Sequence, residues 1–346
     1  MAGKETKLTV WALDPELSID DIPELLNLDY SKYIEYLNGA DRDLNEFDRK
    51  LLHRWREYSN TQGINIQSKE ISGLTIRCVS AYAFIESPAP QNQAVIGDFV
   101  LPRERRVSPT ELPVFFFEYM RRVYAIVVGP EYKTRYIRSA LMGGGRNPDE
   151  QHTRWKKVQF KDIPNYTFSS DFFYWLISKQ NTTVGTSLVN MDISDIRYLS
   201  QSADRRDVHH ESEGDNLLDE AMSKTGLGVN SRVGQVGTTI TCPGANLRFI
   251  LFETGDCYVD NYLSSVIGPT GEIEPFENYL DIGALMLYAI VLPELKSAFN
   301  HEKDSLQWTT RHQADSRKTW ALGAINELCS ENDISIEEIK DLDWFK

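Results

Sequence analysis

Residues 112–146 read LPVFFFEYMRRVYAIVVGPEYKTRYIRSALMGGGR, and the secondary structure assigned to them decides the fold. The pattern predicts two helices. The first covers about 112–127. The second starts at Pro130, whose missing N–H costs nothing in a first helical turn, and stops at Gly143-Gly144-Gly145. Arg135 and Arg138 stand three apart on this second helix and share a face.

Outward from this stretch the helical pattern continues. Leu44, Phe47, Leu51, Trp55 and Tyr58 recur at spacings of three and four, which predicts an amphipathic helix over 43–58 with that stripe in the core. Ser18, Asp20-Asp21 and Pro23 mark an earlier helix start. Further helices are expected at 171–178, at 276–299 with Pro293 kinking or splitting it, and at 316–329. Ser335-x-x-Glu338 matches a capping box for a final short helix. Residues 4–12 alternate Leu8, Val10 and Ala12 with Lys7, Thr9 and Trp11, so they read as extended, either an ordinary first strand or an arm reaching for a neighbour. Residues 64–86 read as short strands or irregular structure, followed by a loop from Pro88 to about Glu111. The polar segment Ser200–Asp215 reads as a loop or lobe boundary, and Gly226–Gly244, with five glycines in 19 residues, as a long loop. The expectation is a mainly α, two-lobed chain with a few short strands in the N-lobe. Its parts are an arm at 1–18, an N-lobe at 19–197, a C-lobe at 198–330 containing the loop 226–244, and an acidic tail at 331–346.

Composition bounds the function. With 346 residues and 41% apolar usage the chain can build a sizeable core without a metal or disulfide staple. Formal net charge is −14, yet residues 101–157 carry +6 and the remainder −20. That balance argues against indiscriminate nucleic-acid binding but allows a local basic surface, because exposed charges more than about 10 Å apart are largely screened at moderate salt. Cys78, Cys242, Cys257 and Cys329 form no C-x-x-C pair and no zinc spacing, so free thiols in a reducing compartment are expected. The polar start at Met1-Ala-Gly-Lys and the shortness of the apolar run Ile282–Leu292 point to a soluble intracellular protein with no membrane partner.

Arg121, Arg122, Lys133, Arg135, Arg138 and Arg146, with Tyr132 and Tyr136 among them, combine cations for phosphates with flat rings for bases. The alternative is a solvated helix face with core tyrosines. A second basic set, Lys296, Arg311, Arg317 and Lys318, has Trp308 and Trp320 nearby, and surface salt bridging is the competing account. Gly143-Gly144-Gly145-Arg146 lacks the spacing of a P-loop and reads as a helix stop. His209-His210-Glu211 has no third ligand at recognisable spacing, so neither a metal nor another cofactor is expected. No nucleophile or zinc-hydrolase motif is present, and no catalytic residue is assigned.

Leu112-Pro113, the aromatic run, Arg121-Arg122-Val123 and Pro130-Glu131-Tyr132-Lys133 resemble a segment of rhabdovirus nucleoproteins, and Gly63-Ile64-Asn65-Ile66 is similar to an upstream element of that family. The resemblance implies a helical nucleoprotein fold with an RNA groove between two lobes. It implies encapsidation of single-stranded viral RNA without sequence specificity, by a homo-oligomer that polymerises along the RNA and serves as the polymerase template. It places Arg121 or Arg122, Tyr132, Lys133 and Arg135 among the N-lobe RNA contacts. The arm at 4–12 and the loop at 226–244 become candidates for subunit exchange. A viral phosphoprotein and polymerase become expected partners, and the virion nucleocapsid and host cytoplasm expected locations. Two other classes stay open: a nucleic-acid-processing enzyme such as a phage-defence nuclease, and a capsid protein that assembles without RNA.

Overall fold

A computed structural model describes residues 5–37, 44–58, 63–97, 99–144, 149–186, 188–203 and 208–340. Helix and strand each take about 36% of the described residues, which corrects the mainly α, helical-nucleoprotein expectation. Among the described residues, fourteen strands of antiparallel sheet carry the architecture. The chain divides into two compact units, one formed by Thr6–Ile163 with Leu280–Ala289, the other by Met1–Glu5, Pro164–Tyr279 and Ile290–Lys346.

The first unit contains β1 (Glu5–Ala12), α1 (Ile22–Leu26), β2 (Arg54–Glu57), β3 (Gln67–Ile71), β4 (Leu74–Pro88), β5 (Val107–Tyr119), β6 (Arg122–Val128) and α2 (Glu131–Ala140). The strands run in the order β1-β6-β5-β4-β2, with β3 also paired to β4. The helix expected over 112–127 is therefore a hairpin, with Arg122 opposite Tyr119 and Val127 opposite Val114. Met120 and Arg121 form its two-residue turn, at φ of 49° and 62°. Positive φ at both turn residues matches the right-handed twist of the flanking strands.

Burial on both faces explains why the sequence of this hairpin does not alternate. Val114, Phe116, Val123, Ala125 and Val127 join Trp11, Ile22, Leu25, Trp55 and Trp155 in one core. Phe115, Phe117, Tyr124 and Ile126, which point the other way, are equally buried. Strands covered on both sides read as continuous apolar runs. Leu280–Leu285 packs on β5, Asp281 pairs with Lys69, and the Tyr288 hydroxyl donates to the Leu8 carbonyl at 3.2 Å.

The turn offers a test of opposite signs. Met120→Asn with Arg121→Gly supplies the residues that tolerate positive φ, so the melting free energy should rise by about 1 kcal/mol. The same pair inside a helix would lower it by about 1 kcal/mol or more. Chemical denaturation of the two proteins reads the sign.

The helix expected over 43–58 is also overturned. Glu46–Arg49 is a single turn, Lys50–Leu51 pairs with Lys32–Tyr33, and Arg54–Glu57 is β2. Trp55 and Leu51 are buried but Phe47 is 55% exposed. Side chains from far along the chain hold this segment. Arg103 donates to the carbonyls of Phe47 and Lys50 at 2.8 and 2.6 Å and pairs with Glu86. Arg106, 1% exposed, donates to the carbonyls of Leu101 and Asp48.

The second unit contains α3 (Ser170–Ser178), β7 (Thr182–Gly185), β8 (Asn190–Ala203), β9 (Val208–Glu213), α4 (Ala221–Gly228), β10 (Arg232–Cys242), β11 (Ala245–Phe252), β12 (Cys257–Asp260), β13 (Ser265–Ile267), β14 (Ile273–Pro275), α5 (Leu292–Asp304), α6 (Thr310–Glu331) and α7 (Ile336–Lys340). Its strands run β7-β8-β10-β11-β12, with β9 on β8 and β13 between β11 and β14. The segment read as a loop at 200–215 is thus mostly the β8–β9 hairpin, with 204–207, including Arg205 and Arg206, outside the described residues. The loop expected at 226–244 is the end of α4 followed by β10. Gly237 is a strand residue there, and a Cβ on it would lie 2.6 Å from the Cβ of Tyr198 across the pairing. Residues 276–304 form 29 continuous helical residues, long and apolar enough by composition to cross a membrane, with 78% of the apolar window buried. A π-helical stretch, Met286–Val291, leads into the helix segment whose first turn holds Pro293, where its missing N–H costs least.

Candidate nucleic-acid interface

The basic stretch is divided by the fold rather than gathered into one patch. Arg121 is exposed at the hairpin tip and makes no ion pair among the described residues. Arg122 points inward. Its Nε donates to the Leu13 carbonyl at 2.9 Å and its Nη2 to Gln159 Oε1 at 3.2 Å. Gln159 in turn exchanges backbone hydrogen bonds with Ala12 at 2.8 and 3.0 Å. Arg138 ends at the same place, with its guanidinium 5.2 Å over the Phe160 ring and its Nε buried without a hydrogen-bond partner. Arg122 therefore holds Gln159 by hydrogen bonding and Arg138 covers the Phe160 ring, and both arginines are half-buried.

The other end of β6 leads into α2, so Tyr132 and Lys133 stand about 20 Å of strand away from Arg122. Pro130 caps α2 rather than beginning it, and Thr134, Ile137 and Ala140 form its buried side. The exposed side carries Tyr132 at 64% exposure and Tyr136 at 53%, one turn apart. Arg135 lies between them with its side chain 70% exposed, 3.9 Å from Glu131. Glu131 also lies 3.9 Å from Lys7. Lys133 sits 6.0 Å from the Tyr132 ring and makes no ion pair among the described residues. Two rings and a guanidinium thus share one solvent-facing helix surface, with the half-buried Lys133 at its edge.

The C-terminal stop of α2 is as expected. The Gly144 N–H donates to the Arg138 carbonyl at 2.8 Å, closing a turn over residues 138–144, and Gly143 has φ of 71°. A Cβ on Gly144 would lie 2.3 Å from Arg138 Cγ, so glycine is needed where Arg138 folds over the helix end. Gly145 and Arg146 lie outside the described residues.

The second basic set lies in the second unit and is not gathered into a patch. Lys296 donates to the carbonyls of Pro164 and Thr167 at 2.7 and 3.0 Å and lies 5.5 Å over the Phe168 ring. Burial lowers its pKa from the ordinary lysine value. Arg317 is half-buried with an unpartnered Nε. Arg311, 89% exposed, lies 4.0 Å from Asp315, and Lys318 is exposed. Trp308 is buried and donates to Asp171 at 2.9 Å, which makes it a core residue.

His209 and His210 occupy consecutive positions of β9. His209 pairs with Glu211 at 2.9 Å and His210 contacts Ser212 at 2.9 Å. Among the described residues, no group of three or more His, Cys, Asp or Glu is placed to hold a metal ion. Cys78, Cys242 and Cys257 are buried free thiols, and burial raises Cys78 and Cys242 to about 11.

Sequence reasoning missed the buried polar cluster of His53, Glu86, Arg103 and Arg106. Arg103 and Arg106 belong to the charge excess of residues 101–157, yet they are structural. His53 is 2% exposed, and desolvation lowers its pKa to about 4. An arginine-rich segment beside prolines gives no local sign that its cations will cap distant carbonyls. No protein-family model matches the chain, and no curated protein is significantly similar to it.

Proposed function

We propose that this chain binds single-stranded RNA without reading its sequence, through the exposed face of α2. The observation that carries the proposal is the grouping of Tyr132, Arg135 and Tyr136 on one solvent-facing surface, with Lys133 beside it. Stacking on tyrosine accepts any base, because every base has a π-face, and the cations meet phosphates. Arg121 at the hairpin tip is a separate cation, and Arg122, Arg138 and Lys296 are structural in this reading.

Coating of a viral genome by repeated subunits is the mode implied by the rhabdovirus-like motif. The chemistry of α2 supports the binding and does not itself speak for the polymer. The motif's Leu112–Tyr119 and Arg122–Val128 are strands, so the proposal leans on the surface chemistry and not on a shared helical fold. A phosphoprotein partner and a nucleocapsid location belong to that coating mode alone.

The test is a fluorescence-anisotropy titration with labelled single-stranded RNA at several salt concentrations. Each phosphate contact contributes about −0.7 to the slope of log affinity against log salt. Lys133→Gln with Arg135→Gln should therefore flatten the slope by about 1.4 while leaving the fold intact, as neither side chain belongs to the buried side of α2. An unchanged slope contradicts the proposal. Cleavage of the RNA only when magnesium is added would favour the nuclease class instead.

A further inference from the structure

α6 spans 22 residues, about 33 Å, and Ala324 is the one residue in it that is buried. Its inner side is held by α4 and α3. Lys224 pairs with Glu327 at 2.8 Å, a Cβ on Gly228 would lie 2.9 Å from that of Ala321, and Trp320 lies 5.9 Å from Tyr174. The flank beside this packed side presents Leu322 at 56% exposure, Ile325 at 49% and Leu328 at 46%, with Cys329 half-exposed, and Leu328 borders Ala324. Spacings of three and four make these a continuous apolar stripe along one face. Single exposed leucines are ordinary, but a contiguous stripe marks an interaction surface.

The geometry points to a second copy of this chain as the occupant, packed antiparallel about a two-fold axis at Ile325. Charge on the two sides of the stripe selects that partner. Lys318, exposed, and Arg311, which lies 4.0 Å from the exposed Asp315, precede it. Glu331, Asp333, Glu337 and Glu338, all exposed, follow it. An antiparallel pair sets Leu322 of one copy against Leu328 of the other and brings Lys318 of one copy toward Asp333 of the other. A parallel pair would set lysine against lysine. An isologous contact must be self-complementary in this way. It gives Arg311 and Lys318 a use that is independent of RNA, and it stands whether or not the α2 proposal holds.

The experiment is analytical ultracentrifugation of the full chain after nuclease treatment and high-salt removal of nucleic acid. The wild type should reach dimer mass in the micromolar range. Ile325→Asp, a change at an exposed position, should weaken the dimer at least tenfold with an unchanged circular-dichroism melt. Lys318→Glu should weaken it too, and adding Asp333→Lys should restore it, a rescue specific to antiparallel pairing. In a Cys329→Ser background, Ile325→Cys should oxidise to a disulfide-linked dimer. A wild type that stays monomeric overturns the inference, and if removal of residues 341–346 then yields dimers, the chain's own end is the occupant. A dimer untouched by Ile325→Asp, or a charge swap that fails to rescue, overturns it as well.

Discussion

Replacing Tyr132 and Tyr136 together by alanine should weaken single-stranded RNA binding at least thirtyfold. Base stacking on an aromatic side chain contributes about 1–3 kcal/mol per base, so two rings losing one base each cost about 2–6 kcal/mol. The rings are the exposed part of α2, and its packed side, Thr134, Ile137 and Ala140, is untouched. Stability should accordingly change little. Tyr132→Phe with Tyr136→Phe keeps both π-faces and should bind within a few-fold of wild type. That contrast separates stacking from hydrogen bonding by the hydroxyls. Anisotropy at one fixed salt concentration measures it, and a phenylalanine pair as weak as the alanine pair would mean that the rings do not stack on bases.

Phe115→Ala and Phe116→Ala should each destabilise the first unit by about 3–5 kcal/mol, the cost of deleting a fully buried phenylalanine. The two side chains leave β5 on opposite faces and both are 0% exposed. Phe116 packs edge-on against Trp55 at 5.6 Å and stacks on Trp155 at 6.0 Å. Phe115 meets Tyr58 at 5.1 Å. In a sheet with one wet face, or on an amphipathic helix, adjacent positions cannot cost equally. Denaturant midpoints for the two variants decide the matter, and a loss below about 1 kcal/mol in either one would exclude burial on both faces.

The elements that sequence inspection finds are those fixed by local chemistry. The Ser18–Asp21 box precedes α1, with Ser18 hydrogen-bonded to Asp21 through both backbone and hydroxyl. Ser335 and Glu338 cap α7 reciprocally. Ser169 caps α3, and Gly143-Gly144 stops α2. The elements that it misses depend on partners far away. Phe115-Phe116-Phe117 lacks a period of two because both sides of the sheet are covered. The 44–55 segment shows helical spacing, yet arginines more than fifty residues later bind its carbonyls. β10 hides behind Gly234 and Gly237, although Thr238-Thr239-Ile240-Thr241 is a β-branched run that a stricter reading would have used.

The candidate site was legible in part for the same reason. Side-chain type identified Tyr132, Lys133 and Arg135, which remain on the surface. It could not reveal that Arg122, Arg138 and Lys296 are consumed within the fold by Gln159, Phe160 and the carbonyls of Pro164 and Thr167. The charge excess of residues 101–157 is likewise partly internal, because Arg154 pairs with Glu24 and Lys156 with Glu16. A basic stretch in sequence therefore becomes a much smaller basic surface in three dimensions.

Photo-crosslinking of the full chain to 4-thiouridine-labelled single-stranded RNA, followed by peptide mass spectrometry, tests the RNA-binding proposal most directly. The account predicts adducts on the α2 peptide at Tyr132 or Tyr136, competed away by unlabelled RNA of unrelated sequence. Adducts confined to other segments, or a chain that takes up no label at low salt, would contradict it.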